Sequence, residues 1–395
     1  MIPAWRERFN REFSLLRYRN FVRQVGRRAG VDIEFRLSET PCFFPAALLD
    51  QLAAVAGQIV DQLLGNAEYR RAADVIVPPE FRPAKSESIP TFMQVDFGLV
   101  ATDGGFEGRL VELQAFPSLY GFQLALAETS REMYGLDALG MFLGGLTREQ
   151  YVACVGAAIL NGHDPKQVVL MEIDPARQKT RPDFEVTEQL WGVRAIDIRA
   201  VTKRGRHLLY RRDGVETPIA RIYNRVIPDE LRRAGRSLPF DYRDDLGVEW
   251  AGGPDWFFRI SKFSIPWLKH SWVPLTHYLS SLGAVPPDRD EWVLKPLFSF
   301  AGGGIVFAPT DRDMAAIPHD ARAGYILQRR VAFAPVIATP AGPTQAEIRI
   351  MFVRDGDALR PVMPLVRMGR GRMMGVDHNK GLEWVGASAA LIDRS

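Results

Sequence analysis

Polar and apolar positions divide the chain into stretches of different period. Residues 1–85 read as mainly helical. Within them PAALLDQLAAVAGQIVDQLLG (45–65) repeats its apolar residues at three- and four-residue spacing, which predicts a core-facing helix. The polar segment VPPEFRPAKSESIP separates it from FMQVDFGLV (92–100), predicted as a strand. A DGG-centred turn and a second strand, GRLVELQAF (108–116), follow. From about residue 165, strands and helices alternate: QVVLMEID as a buried strand, the segment around FEVTEQLWG as a helix, VRAIDIRAV as another strand. That alternation predicts an open α/β unit with a largely parallel sheet. Residues 288–395 change again, to strands joined by turns: WVLKP, GGIVFAP, GYILQRRVAF, AEIRIMFV and ALRPVMPLVRMG.

Composition narrows the function classes. The 395 residues are 47% hydrophobic and 25% charged, with a net charge of only +3. Arginine far outnumbers lysine, but acidic residues sit among the arginines, so the unopposed basic stripe of a nucleic-acid surface is missing. Cys42 and Cys154 have no motif spacing and fit unbridged thiols in a reducing compartment. MIPAWRERFNREF is charged within its first turn and has no apolar core for a signal peptide. The most apolar region, DALGMFLGG and YVACVGAAIL, is broken by TREQ, and neither half reaches the roughly 20 residues of a membrane helix. The expected setting is cytoplasmic, with no membrane or nucleic-acid partner. The six histidines (163, 207, 270, 277, 319, 378) show no zinc spacing.

Candidate chemistry begins at EWVLKPLFSFAGGGIVF (291–307). Two antiparallel strands joined by a glycine loop would place Lys295 on the first strand, with the loop folding over whatever the lysine contacts. Glycines let backbone N–H groups approach an anion, and an ammonium adds a point charge suited to phosphate. On its own the stretch also reads as a plain glycine hairpin with a solvated lysine. Further on, AEIRIMFV puts Glu347, Arg349 and Met351 on one face and Ile348, Ile350 and Phe352 on the other. Arg349 is then aimed at a cavity or paired with Glu347 at the surface. PLVRMGRG adds Arg367 as a second possible anion ligand. Upstream, Asp96 and Glu112 are equidistant from Gly104, so a hairpin centred there opposes the two carboxylates. Gln114 shares the face of Glu112. Three oxygen-bearing groups on one patch suit Mg²⁺ when phosphates complete its shell, and an exposed hairpin with ordinary surface charges is the other reading.

Lysine strand, glycine flap, glutamine-containing edge strand and arginine strand, in that order over roughly 288–370, resemble the ATP-grasp superfamily. VDFGL…LVELQAFPS, ahead of the lysine strand, resembles the metal hairpin of its circularly permuted glutathionylspermidine synthetase-like branch. The resemblance implies an α/β (α+β) ATP-grasp fold with a helical N-terminal region and a pre-ATP-grasp-like open α/β domain. Its expected units are 1–164 (helices plus the metal hairpin), 165–285 (the substrate domain) and 286–395 (the nucleotide-binding subdomain). It implies ATP and Mg²⁺ as cofactors. Lys295 would contact the α/β-phosphates, and Gly302, Gly303 and Gly304, with Ser299, would form the flap. Gln328, Arg329, Arg330 and Val331 would be the adenine hinge, Arg349 and Arg367 the catalytic cations, and Asp96, Glu112 and Gln114 the metal ligands. Gln114 stands where the family has Asn, and Gln94 where it has Arg. The tail offers only a weaker D-x-N pattern, Asp377 and Asn379.

Two further stretches bear on substrate. PIARIYNRVIPDEL puts Arg221, Tyr223 and Arg225 on one strand face, as a carboxylate clamp or a salt-bridged domain surface. RISKFSIPWLKH reads as a structural linker in which Lys262 and Lys269 lie beside apolar residues, with substrate contact as the other reading. The expected activity is an ATP-dependent carboxylate–amine ligase working through an acyl phosphate, on small-molecule or peptide acid and amine substrates. A small-molecule kinase and a non-catalytic nucleotide-binding module are its rivals.

Overall fold

The apolar stripe at 45–65 becomes one helix, Ala46–Gly65, in the computed structural model, which describes residues 1–235, 238–299, 302–375, 379 and 381–394. Its Leu49, Leu52, Ala56, Ile59 and Leu63 pack on one face of a six-stranded sheet. Across that sheet the strands run Cys42–Pro45, Gly386–Asp393, Ala358–Gly369, Gln345–Asp355, Phe92–Thr102 and Gly105–Gln114. Neighbours are antiparallel except for the first pair. The alternation expected of AEIRIMFV holds: Ile348, Ile350 and Phe352 join Val95 and Phe97 in the core under the helix, and Glu347 and Arg349 take the opposite face.

The upstream hairpin keeps its expected pairing by a different route. Its turn is only Asp103 and Gly104, between paired Thr102 and Gly105. That register, continued, would pair Asp96 with Val111 and send Glu112 to the other face. A bulge beside Asp96 takes up one extra residue and restores Asp96 opposite Glu112.

The central segment forms a wholly parallel sheet in the order Glu249–Ala251, Arg221–Asn224, Val168–Glu172, Arg194–Asp197. Helix Arg181–Trp191 makes one crossover, and a meander of Thr202–Arg204, His207–Arg212 and Val215–Ile219 is inserted after it. A third sheet is antiparallel, in the order Thr276–Tyr278, Tyr325–Arg329, Trp292–Pro296, Val306–Phe307. The glutamine-containing strand is therefore internal rather than an edge, because the three-residue Thr276–Tyr278, too short to show alternation, covers it. Among the described residues no helix is long and apolar enough to cross a membrane.

Candidate functional site

The polar face of the six-stranded sheet and the inner face of the lysine sheet enclose a cavity of about 370 Å³. Lys295 enters from strand Trp292–Pro296, and its Nζ donates to Val111 O at 3.3 Å and Gln328 Oε1 at 2.5 Å. Burial lowers its pKa to about 8, against the opposing pull of Glu112. Gln328 pairs in register with Val293, one face with Lys295. Its Oε1 serves the lysine, but its buried Nε2 has no hydrogen-bond partner among the described residues and belongs to the cavity lining. A second buried lysine, Lys262, starts the 3₁₀ helix Lys262–Trp267, which Ser261 caps. Its Nζ reaches Ser299 O at 3.0 Å and Glu112 Oε1 at 3.2 Å.

The flap lies over the lysines. Ser299, Gly302, Ile305 and Phe307 border the cavity; Gly303 and Gly304 do not. Gly302 and Gly304 have φ of 77° and 73°, and a Cβ on Gly304 would come within 2.8 Å of Pro296 Cγ. Glycine is required there by conformation and by space. Arg329, Arg330 and Val331 border the cavity from the end of the next strand. The N–H groups of Arg329 and Arg330 already donate to Leu275 O and Glu291 O, both at 2.7 Å.

The floor is a chain of alternating charges. Arg349 donates Nε and Nη2 to the two Asp96 oxygens at 2.6 and 2.7 Å, and Nη1 to Gln94 Oε1 at 2.7 Å. Arg367 reaches Asp96 Oδ2 at 2.6 Å and also pairs with Glu347. Burial pushes the Asp96 carboxyl up, but the two guanidiniums outweigh it and hold it below the ordinary range. Glu347 moves the other way, because burial outweighs its pairing with Arg367.

Among solved structures, the chain is similar to a glutathione synthetase-like effector from Globodera pallida, determined in its apo form. The likeness covers 96% of this chain and 97% of that one, with a TM-score of 0.58 and 12% identity. The fold is of the ATP-grasp type. No family model matches the chain, and no curated protein matches its sequence.

The fold thus gathers Lys295, Ser299, Gly302, Gln328, Arg329, Arg330, Val331, Glu112, Gln114, Arg349 and Arg367 around one cavity. Three groups of expected residues lie elsewhere. Asp96 sits beneath the cavity with both oxygens held by arginine. Arg221, Tyr223 and Arg225 form no clamp: their strand is internal to a parallel sheet and buried on both faces. Arg221 donates to Ile159 O, Ala158 O and Glu249, bordering a separate cleft, while Arg225 holds Pro117 O. Tyr223 packs on Phe92. In the tail, Asn379 donates Nδ2 to Met373 O and Gly375 O at 3.0 and 3.1 Å and fixes its own loop; Asp377 and His378 lie outside the described residues.

Two residues hold places at the site that the sequence assigned only as secondary readings. Lys262 lies in a short 3₁₀ segment with no periodicity, and Glu347 reads as a surface partner of Arg349 until the strands on both sides bury it. For Mg²⁺, the cavity offers among the described residues one half-buried carboxylate, Glu112, and the adjoining Gln114 amide. That amide is also 2.7 Å from Gln94 Oε1 and 3.1 Å from both Arg349 terminal nitrogens. Among the described residues no group of three or more His, Cys, Asp or Glu is placed to hold a metal. The donors fit Mg²⁺ only where a ligand's phosphates supply most of its shell.

Proposed function

We propose that the protein is an ATP-dependent carboxylate–amine ligase of the permuted, glutathionylspermidine synthetase-like kind. One observation carries the reading: Lys295, from the C-terminal half, touches the backbone of Val111, next to Glu112 in the upstream hairpin. A phosphate-seeking cation, the glycine flap and the cavity's hard oxygen donor therefore share one space. The hairpin's place ahead of the lysine strand in the chain is the permuted order.

In this reading Lys295 and Lys262 hold the nucleotide's phosphates, and the Gln328 amide and the Val331 backbone border its base. The acid's carboxylate oxygen attacks the γ-phosphorus, the bond to the β–γ bridging oxygen breaks, and ADP leaves. The amine nitrogen then attacks the acyl carbon, phosphate departs, and the amine's proton is released. Arg349 and Arg367 face the position where charge gathers on the transferring group, so the chain contributes positioning and electrostatics rather than a nucleophile. Closure of the flap glycines Gly302, Gly303 and Gly304 would keep water from the acyl phosphate. Mg²⁺, when bound, neutralises phosphate charge, and Glu112 is the residue that would hold it.

A second reading, nucleotide binding without turnover, draws on Asp96, whose carboxylate is fully engaged by arginine. Measuring ADP and phosphate release from Mg-ATP with pools of acids and amines separates the possibilities. Amine-dependent phosphate release supports the ligase, and a stable phosphorylated product indicates a kinase. Binding without release identifies the non-catalytic module.

A further inference from the structure

The register of the six-stranded sheet sets up a gradient across the cavity floor. One cross-strand row runs Glu112, Asp96, Arg349, Leu365, Ala389. Charge is concentrated under the lysines and gives way to apolar side chains toward the far strands. The next row out ends Glu347, Arg367, Ala387, so one guanidinium stands at the edge of the apolar part.

The walls above that end continue the trend. Phe35 and Phe122 meet edge to face, ring centroids 5.3 Å apart, and both border the cavity. Met373 and Met374 close it from the loop that Asn379 pins through two backbone carbonyls and through the Arg370 N–H. That loop also presents Arg372, which is exposed and makes no ion pair among the described residues. Among the described residues, the carboxylates bordering the cavity are Glu112, paired with Lys262, and Glu347, paired with Arg367. An ammonium group placed at the apolar end would lose its water and meet cations.

We propose that this end of the cavity binds the acid substrate, and that the substrate is a monocarboxylic acid with an apolar, aryl-sized body and no ammonium group. Its carboxylate sits between Arg367 and Arg372, and its body lies against Leu365, Phe122 and Met373. Arginine suits the planar carboxylate because it presents paired donors. The assignment of this end to the acid rests on the ligase reading; the preference for an apolar anion rests on the cavity walls.

The test is a binding series that needs no turnover. The full-length chain, saturated with a non-hydrolysable ATP analogue and Mg²⁺, is titrated with acetate, butyrate, hexanoate, phenylacetate, glutamate and spermidine. Affinity is expected to rise roughly three- to fourfold per buried methylene along the aliphatic acids. Phenylacetate should bind at least tenfold tighter than acetate, with glutamate and spermidine weaker than either. Arg372→Ala should weaken all the monocarboxylates alike. Phe122→Ala should remove the phenylacetate increment, and Met373→Ala, in a half-buried loop, gives the same readout if the Phe122 variant fails to fold. Equal affinity across the acids, tighter glutamate than phenylacetate, or no acid binding overturns the proposal. Failure of the ligase reading looks different: the monocarboxylates bind as expected, yet Mg-ATP with hydroxylamine and phenylacetate yields no hydroxamate.

Discussion

Arg349 and Asp96 lie 253 residues apart in sequence and directly opposite each other in neighbouring strands, joined by two charged hydrogen bonds of 2.6 and 2.7 Å. The pair is buried, so its loss is felt mainly through the charge left behind. Asp96→Ala leaves Arg349 uncompensated and is expected to cost about 3–5 kcal/mol of stability. Combining it with Arg349→Met should recover a large part, since matched apolar groups replace buried ion pairs at little cost. Urea unfolding of both variants checks this; a single-variant loss below about 1 kcal/mol would mean the pair is solvated. The pH dependence has a definite sign. The folded-state pKa of Asp96 lies below the ordinary 3.8, so its contribution is complete above that value and is lost as pH falls through the lower one.

Gln328 offers a cleaner separation of binding from folding. Its Oε1 accepts from Lys295, while its Nε2, beside the cavity, is buried with no partner among the described residues. An unpaired buried donor suits a ligand acceptor. Gln328→Leu is expected to weaken nucleotide binding about three- to tenfold, the equivalent of about 0.5–1.5 kcal/mol. Gln328→Glu, which replaces the donor with a carboxylate, should weaken it further. Equilibrium titration with a labelled ATP analogue reads the effect. Wild-type affinity in both variants would remove Gln328 from the nucleotide site.

These two residues also show how far the sequence carries. Period-2 alternation placed Arg349 on the cavity face, because its neighbours Ile348 and Ile350 are plainly core. It could not show that Asp96 lies in the adjacent strand, since pairing between ends of the chain leaves no local mark. The hairpin register came out right although two features were unseen, a shorter turn and a compensating bulge. Alternation leaves a clamp and a salt-bridged surface both open at Arg221, Tyr223 and Arg225, and Arg221 pairs with Glu249. Such alternation assigns faces within a strand but does not say whether a face meets a cavity or another layer, and in a parallel sheet both faces are covered. Lys262 reads as part of a linker because a six-residue 3₁₀ turn has no period that would aim it at a cavity.

Gly98 ties the hinge to the hairpin. A Cβ there would sit 2.9 Å from Cγ1 of Val331, the last residue of the expected hinge, and 2.7 Å from Cε1 and Cζ of Phe333, two residues beyond it. Ala334 N also donates to Leu99 O at 2.8 Å. Gly98→Ala is expected to cost about 1–3 kcal/mol by overpacking and to displace Val331. Phe333→Ala in the same chain should relieve most of the strain. Thermal denaturation of the single and double variants tests it, and additive losses would show that the two sites do not touch.

Lys295 gives the sharpest pH prediction. Its pKa is about 8 in the free protein, chiefly through burial, whereas an unfolded lysine titrates near 10.5. Between those values the folded chain holds fewer protons than the unfolded one, so the cost of burying the ammonium, full below pH 8, fades as pH rises. Phosphate reverses the preference. An anion beside Nζ favours the charged form, so nucleotide binding above pH 8 must take up a proton. Affinity should fall up to tenfold per pH unit from about pH 8 until the pKa of the complex is reached. Calorimetry at pH 8.5 in two buffers of different ionisation enthalpy should show uptake of up to one proton in the wild type. Lys295→Met should abolish that uptake and weaken binding. Equal heats in the two buffers for the wild type would mean that this lysine does not meet the phosphates.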